Sequence, residues 1–214
     1  KQMALKIALN SAYGAIGNQY FRFYDIRIAE AVTYGGQLSI RWIEKSLNKH
    51  LNGLLQTDNV DYVLASDTDS VYITFDTLIE RLNPKDPVKF LDTICTEKLE
   101  PFIDGEYQRL AEYVNAYEQK MFMKREVIAD KGIWTAKKRY ILNVHNSEGV
   151  QYAEPKLKMM GIEAVKSSTP QVCRDKIKEA LKLIMAGDEN DLNDFIQDFR
   201  KEWMEMDAAS IAFP

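Results

Sequence analysis

The fold is decided by residues 61–75, which read DYVLASDTDSVYITF. Two runs rich in β-branched and aromatic residues, 61–65 and 71–75, favour strands and flank a polar segment. Asp and Ser in that segment are typical of a tight reversal of the chain. The stretch therefore predicts a β-hairpin that carries two carboxylates, Asp67 and Asp69, at its tip.

Two helical patterns precede the hairpin. Apolar residues recur at helical spacing over residues 1–13, and Gly14 and Gly17 suit the end of that helix. A longer pattern covers residues 25–51, with an apolar face broad enough to back a sheet. The pair at 35–36 is Gly-Gly, which is expected to weaken or bend this helix by about 1 kcal/mol per glycine.

Residues 87–144 predict a helix and a second hairpin. An amphipathic pattern covers residues 87–117, and Pro101 is expected to kink or divide that helix. Residues 121–129 and 134–144 alternate as strands do, with a turn predicted at 130–132, which reads Asp-Lys-Gly.

The remaining sequence predicts two more helices. One begins at Pro170, is capped by Ser168 or Thr169, and ends at Gly187. The other covers residues 190–206. The predicted fold class is α+β: an antiparallel sheet around the first hairpin, backed by long helices, with the first helix projecting.

Composition limits the class of protein. The chain has 214 residues, of which 46% are hydrophobic, enough for one large domain or two small ones. The net charge is −4, so any nucleic-acid surface must be local. Cys95 and Cys173 lie far apart without CxxC spacing, which argues against structural zinc and a disulfide framework. No apolar run approaches the roughly 20 residues that span a bilayer, and no signal peptide is seen. We expect a cytoplasmic protein with no membrane partner.

The acids of the first hairpin have a chemical interpretation. Asp67 and Asp69 converge on one point where divalent ions such as Mg²⁺ can bind. Transfer of a phosphoryl group to a 3′-hydroxyl uses two ions about 3.5–4 Å apart, which stabilise the attacking and leaving oxygens. Asp and Ser also simply make good turns, so the motif alone leaves both interpretations open.

The first helix carries a second candidate site. Lys6 and Asn10 are four residues apart and Tyr13 is three further on, so the three side chains share one helical face. Such a face can meet a triphosphate, where the lysine neutralises phosphates and can donate a proton to the leaving pyrophosphate. An ordinary solvated face is the alternative.

A basic stretch stands out in this acidic chain. Residues 120–140 contain seven cations and two acids, a surplus that would attract duplex phosphates. The alternative is an edge strand whose lysines prevent aggregation. A clustered basic stripe is the usual footprint of nucleic-acid binding.

These motifs resemble those of family B DNA polymerases. The helix KxxxNSxYG at residues 6–14 resembles motif B, and the strand–DTDS–strand hairpin about fifty residues later resembles motif C. KKRY at 137–140 is similar to a further family element. AEPKLKMMG at 153–161 and KSSTP at 166–170 are closest to polymerases of large tailed bacteriophages. The resemblance covers nearly the whole chain.

The resemblance implies a function and a division of the chain. The activity is template-directed nucleotidyl transfer from a dNTP to a primer 3′-OH by a two-metal mechanism with Mg²⁺. Residues 1–17 correspond to part of the fingers, 18–170 to the palm, and 171–214 to helices between palm and thumb.

The resemblance also implies roles for single residues. Asp69 is a ligand of both ions, Asp67 lies close by in a supporting role, and Glu126 is a palm acid near the metal site. Lys124 departs from the acidic residue expected there. The nucleotide site comprises Lys6, the proposed general acid, with Asn10, Tyr13 and Gly14. The primer duplex is contacted by Lys137, Lys138, Arg139, Tyr140 and Lys166.

Several family parts are absent from the sequence, namely the DxxSLYPS strand with its carboxylate (motif A), the first fingers helix, the exonuclease domain and the thumb. The chain starts within a helical pattern and stops just after an acidic helix, so we expect a piece of a longer enzyme, inactive alone.

The expected partners follow from the same resemblance. They are primer–template DNA, dNTP and the missing polymerase segments, with self-association through exposed edges. The compartment would be the host cytoplasm if the source is viral. A non-catalytic DNA-binding subunit and another palm-like metal enzyme, such as a cyclase or nuclease, stay open as alternatives.

Overall fold

The structure is a computed structural model that describes residues 2–212. Lys1 of the first predicted helix and the last two residues of the chain lie outside the described residues. The chain divides into two compact units. The first comprises the chain up to Pro87 together with Ile94–Lys124, and the second comprises Val88–Thr93 together with the chain from Arg125 onward.

The first unit contains two long helices and the predicted hairpin. Its elements are α1 (Gln2–Ile16), α2 (Ile26–Leu55), β1 (Val63–Asp67), β2 (Ser70–Ile73), α3 (Asp76–Leu82), a π-helical turn (Cys95–Leu99) and α5 (Glu100–Tyr113). Helix α4 (Pro87–Ile94) lies almost wholly in the second unit.

Helix α2 is continuous over its 30 residues, including Gly35 and Gly36. Asp25 caps its start, because the Asp25 side chain accepts a hydrogen bond from the backbone N–H of Arg27 at 3.0 Å. Helix α1 has no buried residue among those described, in agreement with the projecting helix predicted from the sequence.

The core of the first unit lies between α2, α5 and the hairpin. Ile43 and Leu47 of α2 are 0% exposed, and each such buried side chain contributes about 1.5–3 kcal/mol. The other buried members are Val63, Cys95, Leu99, Ile103, Tyr107 and Leu110. The hairpin is therefore backed by long helices, as predicted.

The expected division at Pro101 is confirmed. Pro101 lies at the start of α5, directly after helical backbone, and its missing N–H interrupts the series of helical hydrogen bonds there. The turn before it, Cys95–Leu99, is π-helical, so the predicted single helix over 87–117 is three consecutive helical segments.

The second unit is built on a three-stranded antiparallel sheet in the order β3-β4-β5. Its strands are β3 (Val127–Ala136), β4 (Arg139–Ser147) and β5 (Val150–Met160). The α+β class is confirmed, and the strands divide between this sheet and the separate pair β1-β2. Strand β5, whose residues had been matched only by family resemblance, pairs with β4 from Tyr140↔Met160 to Ser147↔Val150.

The turn predicted at 130–132 is wrong. Strand β3 continues through Gly132, and the chain reverses at Lys137 and Lys138 instead. Gly132 is needed for packing: a Cβ there would lie 2.7 Å from the Trp134 ring and 2.9 Å from Leu142. The glycine therefore admits a large neighbouring side chain within a strand. Residues 121–126, predicted as strand, have no regular structure.

Helices α6 (Gln171–Ala186), α7 (Glu189–Glu205) and α8 (Ala208–Ile211) follow. The cap predicted from Ser168 or Thr169 is wrong, because Pro170 itself occupies the N-cap position and no side chain caps the helix. Gly187 ends α6 as predicted. The core of this unit consists of Ile141, Ile162, Ala164, Leu181 and Met185.

Among residues 2–212, no helix has both the length and the apolar character that crossing a membrane requires.

Candidate functional site

The tip of the first hairpin is a two-residue turn, Thr68-Asp69, which we call the acidic turn. Asp67 and Ser70 form the last pair of the ladder. Thr68 has φ 54°, an unusual value for a β-branched residue. The Asp69 N–H donates to the Asp67 carbonyl at 2.6 Å, which closes a γ-turn around Thr68.

The two carboxylates of the tip are held differently. The Thr68 hydroxyl donates to Asp67 Oδ1 at 3.0 Å, and Asp67 is half-buried. The Ser70 hydroxyl donates to the Asp67 carbonyl at 3.2 Å. The Asp69 side chain is exposed. The acidic turn thus presents one restrained and one solvent-facing carboxylate.

The hairpin is attached to α2 by an asparagine that the sequence reasoning missed. Asn48 Oδ1 accepts from the Tyr62 N–H at 2.8 Å and from the Val63 N–H at 3.2 Å. Its amide donates to Asp61 Oδ1 at 2.7 Å. Asn48 and Asn52 lie four residues apart on one face of α2, and this pair of amides was the available signal.

A buried acid ties α2 to α5 and was also missed. Glu106 is 6% exposed and accepts hydrogen bonds from Ser46 at 2.8 Å, Trp42 at 3.2 Å and Arg109 at 2.6 Å. Burial, the largest influence, would raise the pKa of Glu106, but these donors and the charge of Arg109 lower it overall. The signal was a glutamate on the apolar face of an amphipathic helix.

Helix α5 also lies within electrostatic reach of the acidic turn. Burial raises the pKa of Tyr107, and the negative charges of Asp104 and Asp69 raise it further. Tyr107 belongs to the core behind the hairpin, so its hydroxyl remains neutral there.

The acidic turn fits a hard divalent cation by its donor chemistry. Mg²⁺ is usually bound through one or two carboxylates together with substrate phosphates, and Asp67 and Asp69 supply two. Among residues 2–212, no set of three or more His, Cys, Asp or Glu is arranged to hold a metal ion. Glu126 belongs to the second unit, where its carboxylate pairs with Lys158 at 2.6 Å.

Helix α1 displays the predicted nucleotide-site residues to solvent. Lys6, Asn10, Tyr13 and Gly14 all lie within Gln2–Ile16 and are exposed. The spacing of the first three places them on one face of this helix.

The second unit contains a matching two-residue turn, Lys137-Lys138, which we call the basic turn. It joins β3 to β4 after the pair Ala136↔Arg139, and both lysines are exposed. Lys138 has φ 61°. Its carbonyl lies so close to Gly161, itself at φ +66°, that a Cβ at Gly161 would collide with it.

The other predicted DNA-contact residues lie beside the basic turn. Arg139 forms an ion pair with Glu163 and donates through Nε to the Gly161 carbonyl at 3.1 Å. Lys166 pairs with the same Glu163 at 3.1 Å. Tyr140 is 8% exposed, and its ring lies 6.4 Å from that of Trp134.

Comparisons with known proteins cover both units. A family profile described as DNA polymerase family B matches residues 1–83. The DNA-directed DNA polymerase of Enterobacteria phage T4 is 40% identical over 225 aligned positions, covering 99% of this chain and 25% of the phage protein. That of Escherichia phage RB69 is 43% identical over 198 positions, covering 86% of this chain and 22% of the phage protein.

A more distant relative is the DNA polymerase alpha catalytic subunit of Mus musculus, which is 37% identical over 73 positions, or 34% of this chain. The chain spans about a quarter of the length of the phage relatives.

Proposed function

Because this chain belongs to DNA polymerase family B, we propose that it forms part of a DNA-directed DNA polymerase, which transfers nucleotides from dNTPs to a primer 3′-hydroxyl. The observation that carries the proposal is the acidic turn: two carboxylates are held at a two-residue reversal with Thr68 at φ 54°. A non-glycine residue in this region costs about 1–2 kcal/mol, a cost typical of functional sites.

In this proposal the two carboxylates have unequal roles. Asp69 is exposed and is the principal metal ligand, whereas Asp67 supports it from a position restrained by the Thr68 hydroxyl. Mg²⁺ bound here would neutralise charge on the transferred phosphoryl group and lower the pKa of the primer hydroxyl. Glu126 is proposed as a supporting acid.

Helix α1 supplies the proposed nucleotide contacts. Lys6 neutralises the triphosphate and can protonate the leaving pyrophosphate, because it lies on an exposed helical face with Asn10. Tyr13 and Gly14 continue this face toward the nascent base pair. In family terms, α1 belongs to the fingers, residues 18–170 to the palm and residues 171–214 to the approach to the thumb.

The basic turn supplies the proposed duplex contacts. Lys137 and Lys138 are exposed at a reversal, where their ammonium groups can reach phosphates without reading sequence. Arg139 follows this turn directly, and its ion-pair partner Glu163 also binds Lys166. Tyr140 was expected to contact the duplex; because its side chain is buried, we propose that it supports the strand behind the contacting lysines.

We further propose that these 214 residues do not extend a primer unaided. The sequence contains no DxxSLYPS segment, whose carboxylate would complete the metal site. Loss of one ligand weakens both metal affinity and the stabilisation of transition-state charge.

The test is primer extension with Mg²⁺ by a chimera in which this chain replaces the aligned quarter of the phage T4 polymerase. We expect the chimera to extend the primer, the isolated chain not to, and Asp69→Ala to abolish extension by the chimera. The matched control is Asp198→Ala, which removes an exposed carboxylate of α7 and should leave extension unchanged.

Two results would overturn parts of the proposal. Extension by the isolated chain contradicts the need for a further carboxylate. An inactive but folded chimera that still binds primer–template favours the alternative, a non-catalytic DNA-binding segment.

A further inference from the structure

Glu163 lies between two of the cations that border the basic turn. It begins a short 3₁₀ turn, Glu163–Val165, soon after β5 ends at Met160. Its Oε1 accepts from the guanidinium of Arg139 and from Lys166 Nζ at 3.1 Å. Arg139 is held further by its Nε hydrogen bond to the Gly161 carbonyl at 3.1 Å. One carboxylate therefore neutralises two cations of the basic region.

These ion pairs lie at the surface. The side chains of Arg139, Glu163 and Lys166 are 40%, 46% and 48% exposed. A hydrogen bond from its own backbone N–H, then Lys166 and the charge of Arg139, lower the pKa of Glu163, so the carboxylate is ionised at neutral pH. Exposed pairs contribute little net free energy and are readily exchanged for another anion.

We infer that Glu163 is an internal competitor for DNA phosphates: in the free protein it occupies the cations that the duplex backbone takes in the complex. This inference rests on the proposed DNA-binding function of the basic turn. A phosphate oxygen can replace Glu163 Oε1 on the terminal guanidinium nitrogen of Arg139, because guanidinium binds carboxylate and phosphate alike.

The exchange sets the strength of duplex binding. Arg139 and Lys166 meet phosphates only after leaving Glu163, and they add to the exposed Lys137 and Lys138 of the turn itself. Breaking these internal ion pairs thus offsets part of the electrostatic attraction between the protein and DNA. The offset lowers the affinity for duplex DNA of any sequence equally. An enzyme that must move along DNA benefits from such a limit, because tight static contacts oppose movement.

The experiment compares Glu163→Gln with the unaltered 214-residue chain in binding a short primer–template duplex, followed by fluorescence anisotropy across a KCl series. The matched control is Glu179→Gln, which makes the same charge change on α6, where Glu179 pairs with Lys176 at 3.5 Å. Circular dichroism melts check that each variant folds.

We expect Glu163→Gln to bind about 2- to 30-fold more tightly at low salt, from the release of two exposed ion pairs. The slope of log K against log salt should steepen by up to about 2, since each freed cation contributes about 0.9. Glu179→Gln should stay close to the unaltered chain. The gain should vanish when Arg139→Met and Lys166→Met are added.

Equal or weaker binding by Glu163→Gln would overturn the inference, and weaker binding would mean that Glu163 orients the two cations for DNA. A separate variant tests whether the basic turn binds DNA at all. If it does not, the double substitution Lys137→Ala, Lys138→Ala leaves duplex binding unchanged. If that double variant weakens binding about tenfold while Glu163→Gln gives no gain, the function stands and the inference falls.

Discussion

The acidic turn, Thr68-Asp69, and the basic turn, Lys137-Lys138, each reverse an antiparallel pair through two residues. Each also holds a non-glycine residue at positive φ, Thr68 at 54° and Lys138 at 61°. They differ in charge and in what stabilises them. The acidic turn is closed by its own γ-turn hydrogen bond and by the Thr68 and Ser70 hydroxyls. The basic turn is supported from outside, where its carbonyl contacts Gly161.

This difference indicates what each turn is suited to hold. A self-closed turn fixes the backbone positions of Asp67 and Asp69 relative to one another, which suits a small cation with strict geometry. The basic turn carries two exposed lysine side chains, which suit the extended array of duplex phosphates. The same two-residue reversal thus serves two different electrostatic tasks.

The largest expected effect separates the two acids of the acidic turn. Asp69→Asn should lower kcat of the chimera on the order of 10³-fold or more, because a direct metal contact stabilises transition-state charge by several kcal/mol. Asp67→Asn should cost at least tenfold less, since Asp67 is restrained by Thr68 and serves as support. Single-turnover extension over a Mg²⁺ series measures both. Equal losses would contradict the division of roles. Because Asp69 is exposed, Asp69→Asn should leave the melting temperature unchanged.

The second-largest expected effect comes from a substitution at Gly161, which packs against the basic turn. Gly161→Ala should lower the free energy of unfolding by about 2–4 kcal/mol, because alanine at φ +66° is strained and its Cβ collides with the Lys138 carbonyl. Gly149→Ala is the matched control. It has φ +86° but open space around it, so only the backbone cost of about 1–2 kcal/mol should appear. Urea unfolding measures both, and equal losses would mean that the contact with Lys138 contributes nothing.

The two turns also show how far sequence reasoning reaches. The acidic turn was placed correctly because Asp and Ser between two β-rich runs carry their signal locally. The basic turn was misplaced onto Asp130-Lys131-Gly132, since glycine is the usual turn residue and lysine is not. What decides the position is the packing of Gly132 against Leu142 of β4 and the approach of Gly161 to Lys138, which bring together residues distant in sequence. Local sequence contains neither contact.

The candidate site was also predicted only in part. Asp67, Asp69 and the face of α1 follow from spacing, and the structure places them on the predicted hairpin and helix. The residues that support or oppose them were not foreseen. Each of Asn48, Glu106 and Glu163 has at least one partner distant in sequence, and only the folded chain identifies that partner.

The smallest expected effect tests whether the strain of both turns is real. Lys138→Gly should raise the free energy of unfolding by up to about 1 kcal/mol, because glycine adopts φ 61° without the cost paid by lysine. Lys137→Gly, at a position without positive φ, should lower it by about 0.5–1 kcal/mol. Thr68→Gly should change it little, since relief of strain is offset by loss of the hydroxyl bond to Asp67, worth about 0.5–1.5 kcal/mol. Urea unfolding of the three variants measures these changes in the free energy of unfolding. If Lys138→Gly and Lys137→Gly destabilise the chain equally, the basic turn stores no backbone strain. The two turns would then share their length and positive φ but not the energetic cost of that conformation.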